Sequence, residues 1–410
     1  FERAAILTLD GVGEWETATL GIGEGNDIRL ERSVRFPHSL GLLYSAITAY
    51  LGFRVNDDEW KVMGLAAYGE PAYADRLRRL IRVDDDGGFR LDLDYFDHHA
   101  AARRGYGPKL EALRGFPPRA RGAEIADCHR DLARSVQAVT EEVVVALAGA
   151  AHARYGTDAL CLAGGVALNC VANWRILERT PIRRLFVQPA CGDDGGALGA
   201  AFHAANVLYR EPRTFVMEHA CWGPGFDDAE VARALRARGA RFETLSETDL
   251  VTRTAKAISD DRVVGWMQGR MEFGPRALGA RSILANPRNP RIKSILNERI
   301  KFREGFRPFA PSVLKEEADT YFEIPAGTDS PFMRLAPPVR PEWRERLPGI
   351  THADGTGRLQ TVERASNPRF HALLSEVGRL NGAPVVVNTS FNVQGEPIVC
   401  TPDEALDCFL

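Results

Sequence analysis

The feature that most constrains the fold is a repeated pattern of short apolar runs that end in glycine- or carboxylate-rich turns. Residues 4–10 are an apolar run ending in aspartate, residues 159–163 lead into paired glycines, and residues 184–188 lead into a Gly- and Asp-rich turn. Helical patterns follow the last two turns. Strands that alternate with helices predict an α/β fold, which binds ligands at the carboxyl ends of its strands.

Length and composition narrow the class further. A chain of 410 residues predicts two or three domains. Hydrophobic residues make up 45% and charged residues 26%, which is typical of a globular protein rather than a disordered one. The net charge of -3 excludes a basic field over the whole chain for nucleic acid or membranes. Glycines and prolines near residues 212–225 indicate a linker between domains.

Several features bear on location. No apolar run reaches the ~18 residues of a membrane span, and no charged-then-apolar signal segment opens the sequence. The seven cysteines are odd in number and form no CxxC pair, which favours reduced thiols in a cytoplasmic protein over disulfides or zinc ligands. Because the chain starts at Phe1 and enters a strand at once, we interpret it as a fragment.

Two turns could hold a nucleotide or a metal. Gly164 and Gly165 follow a strand and would let a phosphate approach backbone N–H groups, although tight packing explains them equally well. Asp193 and Asp194 offer hard oxygen ligands on the next turn, or could cap the following helix. Asp10, at another strand end, makes the metal and cap interpretations about equally favoured.

The segment 269–307 is strongly basic, with eight Arg and two Lys against three Glu. These cations are interleaved with Phe, Pro and Gly, which favours side chains aimed at a ligand over a solvated charged face. Guanidinium groups bind phosphate and carboxylate oxygens bidentately, so a small acidic substrate is one interpretation. A nucleic-acid patch is the other, since basic residues among aromatics also serve that use.

Two polar turns lie nearer the carboxyl terminus. Residues 388–397 follow an apolar strand and carry the hydroxyl and amide groups that can complete an anion site or simply satisfy a turn. Residues 352–360 contain His352, for which a turn, a metal ligand and a substrate contact all remain open. The stretch 100–122, rich in Arg, Gly and Pro, is interpreted as a surface insertion.

Taken together, these segments resemble the NodU/CmcH family of O-carbamoyltransferases. The resemblance spans nearly the whole chain, and the matching motifs occur in the family's order. They are LTLDGVGEW (7–15), EWKVMGLAAYGEP (59–71), LAGGVALNC (162–170), QPACGDDGGALGAA (188–201), GRMEFGPRALGARSILA (269–285), KFREGFRPFAPSVL (301–314), HADGTGRLQTV (352–362) and NTSFNVQGEPIV (388–399).

The resemblance implies two catalytic domains. Residues 1–212 would form part of an actin/Hsp70-like (Kae1-like) ATPase domain that binds nucleotide and metal, 213–245 a linker, and 246–410 an α/β YrdC-like domain. In the family, the second domain cleaves carbamoyl phosphate to carbamate and phosphate. The first domain uses ATP to convert carbamate to carbamoyl adenylate and then transfers the carbamoyl group to a hydroxyl. The implied partners are carbamoyl phosphate and a hydroxylated small-molecule acceptor, in secondary metabolism or nodulation-factor decoration.

The resemblance also implies site residues in the first domain. Asp10 and Asp193 match metal-binding carboxylates, and Gly164, Gly165 and Asn169 match the turn that contacts ATP. The family's metal site also uses a pair of histidines in a motif that this chain lacks. Carboxylates alone suit Mg or Mn, whereas that His pair would favour Fe, so the divalent metal stays open among the three.

In the second domain, the resemblance implies a carbamoyl phosphate site. Its catalytic residues would be Arg276, Lys301, Arg307, Arg358 and Ser390. Arg303, Asn392 and His352 are the further candidates for contacts with the substrate.

Two rival functions are weighed against this prediction. The first is threonylcarbamoyl transfer to tRNA adenosine, since both domains have relatives there, and the negative net charge argues against it. The second is a non-enzymatic ATP-binding switch of the Hsp70 or actin type. That alternative leaves the basic segment 269–307 unexplained.

Overall fold

The computed structural model of the protein describes residues 1–99 and 105–410. Two compact units are present, Phe1–Phe215 and Val216–Leu410, and each is built on a five-stranded sheet with helices. The expected α/β class is therefore confirmed. Of the stretch expected to be a surface insertion, residues 100–104 lie outside the described part, and the remainder contains the helix Pro108–Arg114.

The first unit contains seven strands and seven α-helices among its described residues. The strands are β1 (Arg3–Leu9), β2 (Glu16–Glu24), β3 (Asp27–Arg35), β4 (Ile81–Val83), β5 (Phe89–Leu91), β6 (Ala159–Ala163) and β7 (Arg184–Val187). The helices are α1 (Leu40–Tyr50), α2 (Glu59–Ala66), α3 (Ala74–Arg78), α4 (Pro108–Arg114), α5 (Asp127–Tyr155), α6 (Cys170–Arg179) and α7 (Gly196–Phe202).

The main sheet of this unit has the strand order β3-β2-β1-β6-β7. Strands β1 to β3 form an antiparallel meander, whereas β6 runs parallel to both β1 and β7. Leu162 of β6 is opposite Leu7 on one side and Val187 on the other. Because parallel strands end at the same edge of a sheet, the turns that follow β1, β6 and β7 lie next to one another.

The long helix α5 covers this sheet because it carries one continuous apolar stripe. Leu132, Val136, Val139, Val143 and Leu147 are buried and recur every three or four residues, which places them on one face. The helix packs against β1 and against α1, α2 and α6. It ends at Gly156, whose φ of 58° is the left-handed conformation in which glycine commonly closes a helix.

A buried carboxylate joins α5 to α6. Glu141 is 2% exposed, and its two oxygens meet different guanidinium groups: Arg134 at 3.0 Å within α5 and Arg175 at 3.2 Å from α6. Both arginines keep part of their side chains in solvent. The pair of arginines therefore compensates a charge that would otherwise be buried alone.

The second unit contains five strands and seven α-helices. The strands are β8 (Val264–Met267), β9 (Arg281–Ala285), β10 (Ala310–Leu314), β11 (Gln360–Val362) and β12 (Val385–Ser390). The helices are α8 (Asp228–Ala237), α9 (Glu247–Ser259), α10 (Ile292–Ser294), α11 (Ala318–Tyr321), α12 (Pro341–Arg344), α13 (Pro368–Asn381) and α14 (Pro402–Phe409). A π-helical turn, Ile295–Ile300, continues α10.

The sheet of the second unit is mixed, with the order β11-β10-β12-β9-β8. Only β10 and β11 are parallel, and the other neighbours are antiparallel. Helices α9 and α13 pack together on one face of it. The core there is made of buried residues from both helices and the strands, including Ile258, Trp266, Leu284, Phe370 and Val386.

The basic segment of the second unit contributes a strand to the core. Arg281, the first residue of β9, is fully buried, and its guanidinium donates hydrogen bonds to five backbone carbonyls. These carbonyls belong to Pro224, Gln268, Gly269, Ala280 and Cys400, at 3.0–3.3 Å. One arginine thus joins four separate stretches of chain in the second unit.

Most helices and strands begin or end within a few residues of the positions that the sequence patterns predict. One difference matters for function: Thr389 and Ser390 were expected in a turn, and they are the last two residues of β12. Both pair with β9 in the antiparallel ladder, which holds them more rigidly than a turn would. Among the described residues, no helix is both long enough and apolar enough to cross a membrane.

The buried carboxylate of Glu141 yields a test of packing in the first unit. Glu141→Ala leaves Arg134 and Arg175 without their shared charge partner, so we expect it to lower the free energy of unfolding by about 2 kcal/mol. The neighbouring Glu142→Ala is the control, because Glu142 is 43% exposed and its ion pair with Arg78 lies at the surface. We expect that change to cost at most ~0.5 kcal/mol in urea denaturation followed by circular dichroism. Equal losses of stability in the two variants would show that Glu141 is not a buried charge partner of the two arginines.

Candidate functional site

The three strand ends of the first unit are linked by hydrogen bonds. Asp10 Oδ1 accepts from the backbone N–H of Gly11 at 2.8 Å and of Gly165 at 3.1 Å. The N–H of Gly164 donates to the carbonyl of Cys191, which lies after β7, at 2.8 Å. The structure therefore brings the predicted metal ligand Asp10 and the predicted nucleotide turn together.

Gly164 is required where it stands. Its φ is 94°, and a Cβ atom at this position would overlap the carbonyl oxygen of Leu9. The turn after β6 can approach the end of β1 only because that atom is absent. Close packing of strand ends thus accounts for one of the two glycines, as the alternative interpretation held.

Asn169 makes structural contacts. Its Oδ1 accepts from the N–H of Ala172 at 3.1 Å and so caps α6. Its amide also exchanges two hydrogen bonds with the buried Gln137 of α5, at 2.9 and 3.1 Å. The side chain that was expected to contact ATP is thereby oriented towards α5 and the start of α6.

Asp193 is exposed in the short 3-10 helix Asp193–Gly195 that follows β7. With Asp10 it supplies carboxylate oxygens, which are the donors that Mg²⁺ and Mn²⁺ prefer. Mg²⁺ is commonly held by one or two carboxylates together with water and phosphate oxygens, so the donor chemistry fits such an ion bound with a nucleotide. Within residues 1–99 and 105–410, no three His, Cys, Asp or Glu side chains converge on a metal position.

The second unit contains a buried amine. Lys301 is 2% exposed and lies immediately after the π-helical turn. Its Nζ donates to the side-chain and backbone oxygens of Asn392 at 2.7 and 2.8 Å, and to the backbone carbonyl and hydroxyl of Ser390. The Ser390 hydroxyl donates in turn to Asn392 Oδ1 at 2.7 Å. The structure thus joins three predicted site residues from two distant segments.

Burial changes the proton affinity of this amine. Loss of solvation, reinforced by the positive charges of Arg303 and Arg307, lowers the pKa of Lys301 from 10.5 to about 7. The thiol of Cys408 acts in the opposite direction, with an influence between those of Arg303 and Arg307. The amine therefore changes its charge near neutral pH, whereas an exposed lysine does not.

Three arginines belong to the same group of cations: the charges of Arg303 and Arg307 act on Lys301, and that of Arg358 acts on Arg303. The pKa of Arg303 lies below its ordinary value, first because of burial and then because of the charges of Arg307 and Arg358. Asn297, which is fully buried, accepts from Arg303 Nε at 2.7 Å, and the Arg303 guanidinium lies over the ring of Phe309 at 4.6 Å. These contacts fix the direction of a side chain that would be mobile in solvent.

Glu304 also belongs to this cluster, 3.6 Å from Arg307. Besides burial, like charges lower the pKa values here: Arg303 and Arg307 act on Lys301, and Arg307 and Arg358 act on Arg303. Cations that repel one another in a dehydrated site are the arrangement expected where an anion binds.

The backbone at this point is unusual. Phe302, between Lys301 and Arg303, has a φ of 48°, a left-handed conformation that side chains other than glycine rarely adopt. The residue is 64% exposed, so burial of its ring does not offset the cost of about 1–2 kcal/mol. Strain of this kind is concentrated at functional sites, where it places neighbouring side chains.

His352 lies beside the same cluster. Burial lowers its pKa from 6.5 to about 4, against the opposing influence of Asp354, and the charges of Arg358 and Lys293 lower it further. The imidazole is therefore neutral at physiological pH. Its Nδ1 lies 3.2 Å from the hydroxyl of Thr356, which donates to Asp354 at 2.7 Å, so the ring is held by its own turn.

The predicted site residue Arg276 lies on a loop of the second unit. This loop, Glu272 to Arg281, is organised by Glu272, whose Oε1 accepts from the N–H groups of Leu278, Ala280 and Arg281. Gln360 of β11 donates to the carbonyl of Leu278 at 2.8 Å and so ties the loop to the sheet.

Sequence reasoning missed Glu272, Asn297 and Gln360, all of which are buried and support site residues. A signal was present for Gln360, which stands in a run that is otherwise typical of a buried strand. The basic segment also misled in part. Arg281 holds the fold together, while Arg288, Arg291 and Arg299 are exposed.

Models of known protein families match both units of the chain. A family described as "Carbamoyltransferase N-terminus" matches residues 1–202, and one described as "Carbamoyltransferase C-terminus" matches residues 255–410. The chain belongs to the carbamoyltransferase family. The predicted family and the predicted enzyme class are thereby confirmed.

Individual relatives agree with this assignment. An uncharacterized protein of Synechocystis is 44% identical over 437 residues, covering 100% of this chain and 71% of its own length. The nodulation protein NolNO of Sinorhizobium fredii is 40% identical and the nodulation protein NolO of Bradyrhizobium diazoefficiens 38% identical, each across 100% of this chain. The chain spans 59% of the length of NolNO and 73% of that of NolO.

The depressed pKa of Lys301 yields a pH test with sulfate, an anion that stays doubly charged between pH 6 and 9. Below pH 7 the amine is protonated, so the dissociation constant for sulfate should be constant. Above pH 7 the amine loses its charge, and we expect the dissociation constant to rise by up to about tenfold per pH unit in isothermal titration calorimetry.

Two variants are compared with the parent chain in this measurement. Lys301→Met should bind sulfate more weakly at pH 6 and show a smaller pH dependence. Lys256→Met, which removes an exposed amine paired with Asp260, should behave as the parent chain does. A sulfate affinity that does not change with pH in the parent would show that Lys301 stays charged.

The turn after β6 yields a test of stability. Gly164→Ala introduces a Cβ at a positive φ and against Leu9, so we expect a loss of more than about 2 kcal/mol in the free energy of unfolding. Gly196→Ala is the matched control, because Gly196 is helical and has open space around its Cβ position. It should leave stability unchanged or raise it by up to ~1 kcal/mol in urea denaturation.

Proposed function

We propose that the chain carries out ATP-dependent O-carbamoyl transfer to a hydroxylated small molecule. In the first step, carbamoyl phosphate and water give carbamate and phosphate as the bond between the carbamoyl group and the phosphate breaks. In the second step, carbamate and ATP give carbamoyl adenylate and pyrophosphate. In the third, an acceptor hydroxyl takes the carbamoyl group, and AMP leaves with the hydroxyl proton going to solvent.

The observation that carries the first step is the buried group of cations around Lys301. Carbamoyl phosphate is a small dianion, and its cleavage leaves a second dianion, phosphate. A dehydrated pocket lined by the cations Lys301 and Arg303 would bind both and stabilise the charge that develops on the leaving oxygen. The repulsion between these buried cations would be relieved by a bound anion.

Each residue has a distinct role in this proposal. Arg303, Arg307 and Arg358 bind the phosphate oxygens, and their planar guanidinium groups suit bidentate contacts. Lys301 supplies a further charge next to Ser390, and Ser390 and Asn392 hold the amine in place. Arg276 approaches on its loop and, with the neutral His352 at the side of the cluster, contacts the carbamoyl end of the substrate.

For the first unit, we propose a Kae1-like nucleotide domain over residues 1–212, and for residues 246–410 a YrdC-like domain. Asp10 and Asp193 would hold a divalent metal, and Gly164 and Gly165 would let the ATP phosphates approach the strand ends. When bound, such an ion screens the phosphate charges and polarises the carbamoyl group. The chain's own part is to orient the nucleotide at the edge of the sheet where the three turns meet.

The acceptor is proposed by class alone. Two of the relatives are nodulation proteins by name, and this supports a small hydroxylated compound rather than tRNA as the acceptor of this chain.

Cytoplasmic location is part of the same proposal, because all seven cysteines lie in the described residues and none forms a disulfide.

The test is release of phosphate from carbamoyl phosphate by this chain, compared with Arg276→Ala and Lys301→Ala. We expect each variant to lose about 100-fold or more in kcat/KM, because each removes a charge that contacts the reacting dianion. Arg299→Ala is the matched control, since Arg299 is exposed in the same basic segment and should leave the rate unchanged.

Two results would contradict the proposal. If the folded parent chain neither releases phosphate nor binds carbamoyl phosphate, the cations serve another anion, and threonylcarbamoyl transfer to tRNA becomes the better hypothesis. If Arg299→Ala loses as much activity as Lys301→Ala, the loss reflects the charge of the segment as a whole and not a defined pocket.

A further inference from the structure

A buried polar network crosses the sheet of the second unit. Gln360 of β11 is 4% exposed, and Ser312 of β10 and Asn388 of β12 are also buried. Gln360 Oε1 accepts from the Ser312 hydroxyl at 2.5 Å and from Asn388 Nδ2 at 3.0 Å, and Asn388 Nδ2 also lies 3.0 Å from the Ser312 oxygen. Three amide and hydroxyl groups thus meet in a layer where aliphatic side chains would otherwise pack.

The amide of Gln360 has one orientation that satisfies all its neighbours. Its oxygen faces two donors, and its Nε2 donates to the carbonyl of Leu278 at 2.8 Å. Reversing the amide would place its NH2 against the amide of Asn388 and its oxygen against the carbonyl of Leu278. The network therefore fixes both the position and the polarity of this side chain.

Leu278 belongs to the loop that carries Arg276. Glu272 shapes this loop from within, through three N–H groups on one carboxylate oxygen. Gln360 contacts the loop from outside, through a carbonyl 82 positions away in sequence, and Trp266 of β8 donates to the neighbouring carbonyl of Gly279 at 3.0 Å. The loop's internal hydrogen bonds set its shape, whereas Gln360 and Trp266 attach it to two different strands of the sheet.

Two members of the network also lie two residues away in sequence from predicted site residues. Gln360 follows Arg358 by two residues, and Asn388 precedes Ser390 by two residues on β12. Side chains two residues apart in an extended segment project on the same side. One glutamine thus relates the loop of Arg276, the segment of Arg358 and the strand of Ser390.

Stability alone does not account for this network. Asn388 Oδ1 is buried and has no hydrogen-bond partner among the described residues, a loss that typically costs about 1–3 kcal/mol. Aliphatic residues of similar volume would avoid that cost in a sheet whose neighbouring positions are Val385, Val386 and Val387. The amides of Gln360 and Asn388 have a use that aliphatic residues lack, because their hydrogen bonds fix the directions of the groups around them.

We propose that Gln360 is a positioning residue for the anion site: its amide holds the Arg276 loop at the distance from Arg358 and Ser390 that carbamoyl phosphate requires. The inference rests on the proposed function. Gln360 touches neither substrate nor reacting atoms, and it acts through the carbonyl of Leu278.

The decisive variant is Gln360→Glu, which keeps shape and acceptor atoms but replaces the donor. As a carboxylate it would oppose the carbonyl of Leu278, and as a protonated acid it would donate to it again. We expect kcat/KM for carbamoyl phosphate at pH 8 to fall about 10–100-fold relative to the parent. The ratio of variant to parent should recover several-fold at pH 5.5.

Using that ratio at each pH removes the titration of Lys301, which both proteins share. Gln360→Met is the second variant: it fills the same volume, lacks a donor at every pH, and should show the loss without the recovery. Thr361→Val is the control, because Thr361 is equally buried on the same strand but bonds to Ser330 and Asp329. It should lower the melting temperature without changing kcat/KM.

The outcomes separate the two proposals. If the parent cleaves carbamoyl phosphate and the ratio for Gln360→Glu stays flat with pH, or if Gln360→Met keeps full activity, Gln360 does not position the site. The same conclusion follows if Thr361→Val loses as much activity as Gln360→Met. If the parent itself neither cleaves carbamoyl phosphate nor binds inorganic phosphate, the proposed function is overturned and this role falls with it.

Discussion

The second unit is organised around the burial of positive charges that lie close to one another. Moving an ammonium or guanidinium group out of water costs several kcal/mol unless other groups replace the water. Lys301 receives four oxygens from Ser390 and Asn392, and Arg303 receives Asn297 and the face of Phe309. Those contacts replace water around the two cations with neutral groups. The repulsion between neighbouring cations therefore remains, and it supports the proposal that an anion binds there.

Two buried cations show how similar contacts lead to different roles. Arg281 directs its N–H groups to backbone carbonyls in four stretches of chain, and its guanidinium works as a structural crosslink. Lys301 is also held by oxygens, but it has Arg303 and Arg307 as neighbours and its pKa falls to about 7. Both cations are buried, and the difference between them is that Lys301 has like-charged neighbours whereas Arg281 has Glu272 beside it.

The sequence predicted the α/β class and the strand-end turns, because these follow from local patterns, whereas the residues of the proposed anion site were assigned from the family resemblance. Ser390 and Asn392 were assigned together with Lys301, and the structure brings them into contact. Local patterns could not show which arginines are buried, since burial depends on strand pairing. Arg281 and Arg299 look alike in sequence, but the first is inside β9 and the second is exposed. Gln360 was missed because its partners, Leu278 and Asn388, are distant in the chain.

The separation between those partners has a consequence for how the protein becomes active. Lys301 meets Ser390 and Asn392 across 89 and 91 positions, and Arg281 meets Cys400 across 119. Contacts between residues that are this far apart in sequence close large loops, and such contacts tend to form late in folding. During synthesis, the cations emerge from the ribosome well before the strand that will enclose them. The oxygens that surround the Lys301 amine are therefore complete only once β12 has paired in the sheet.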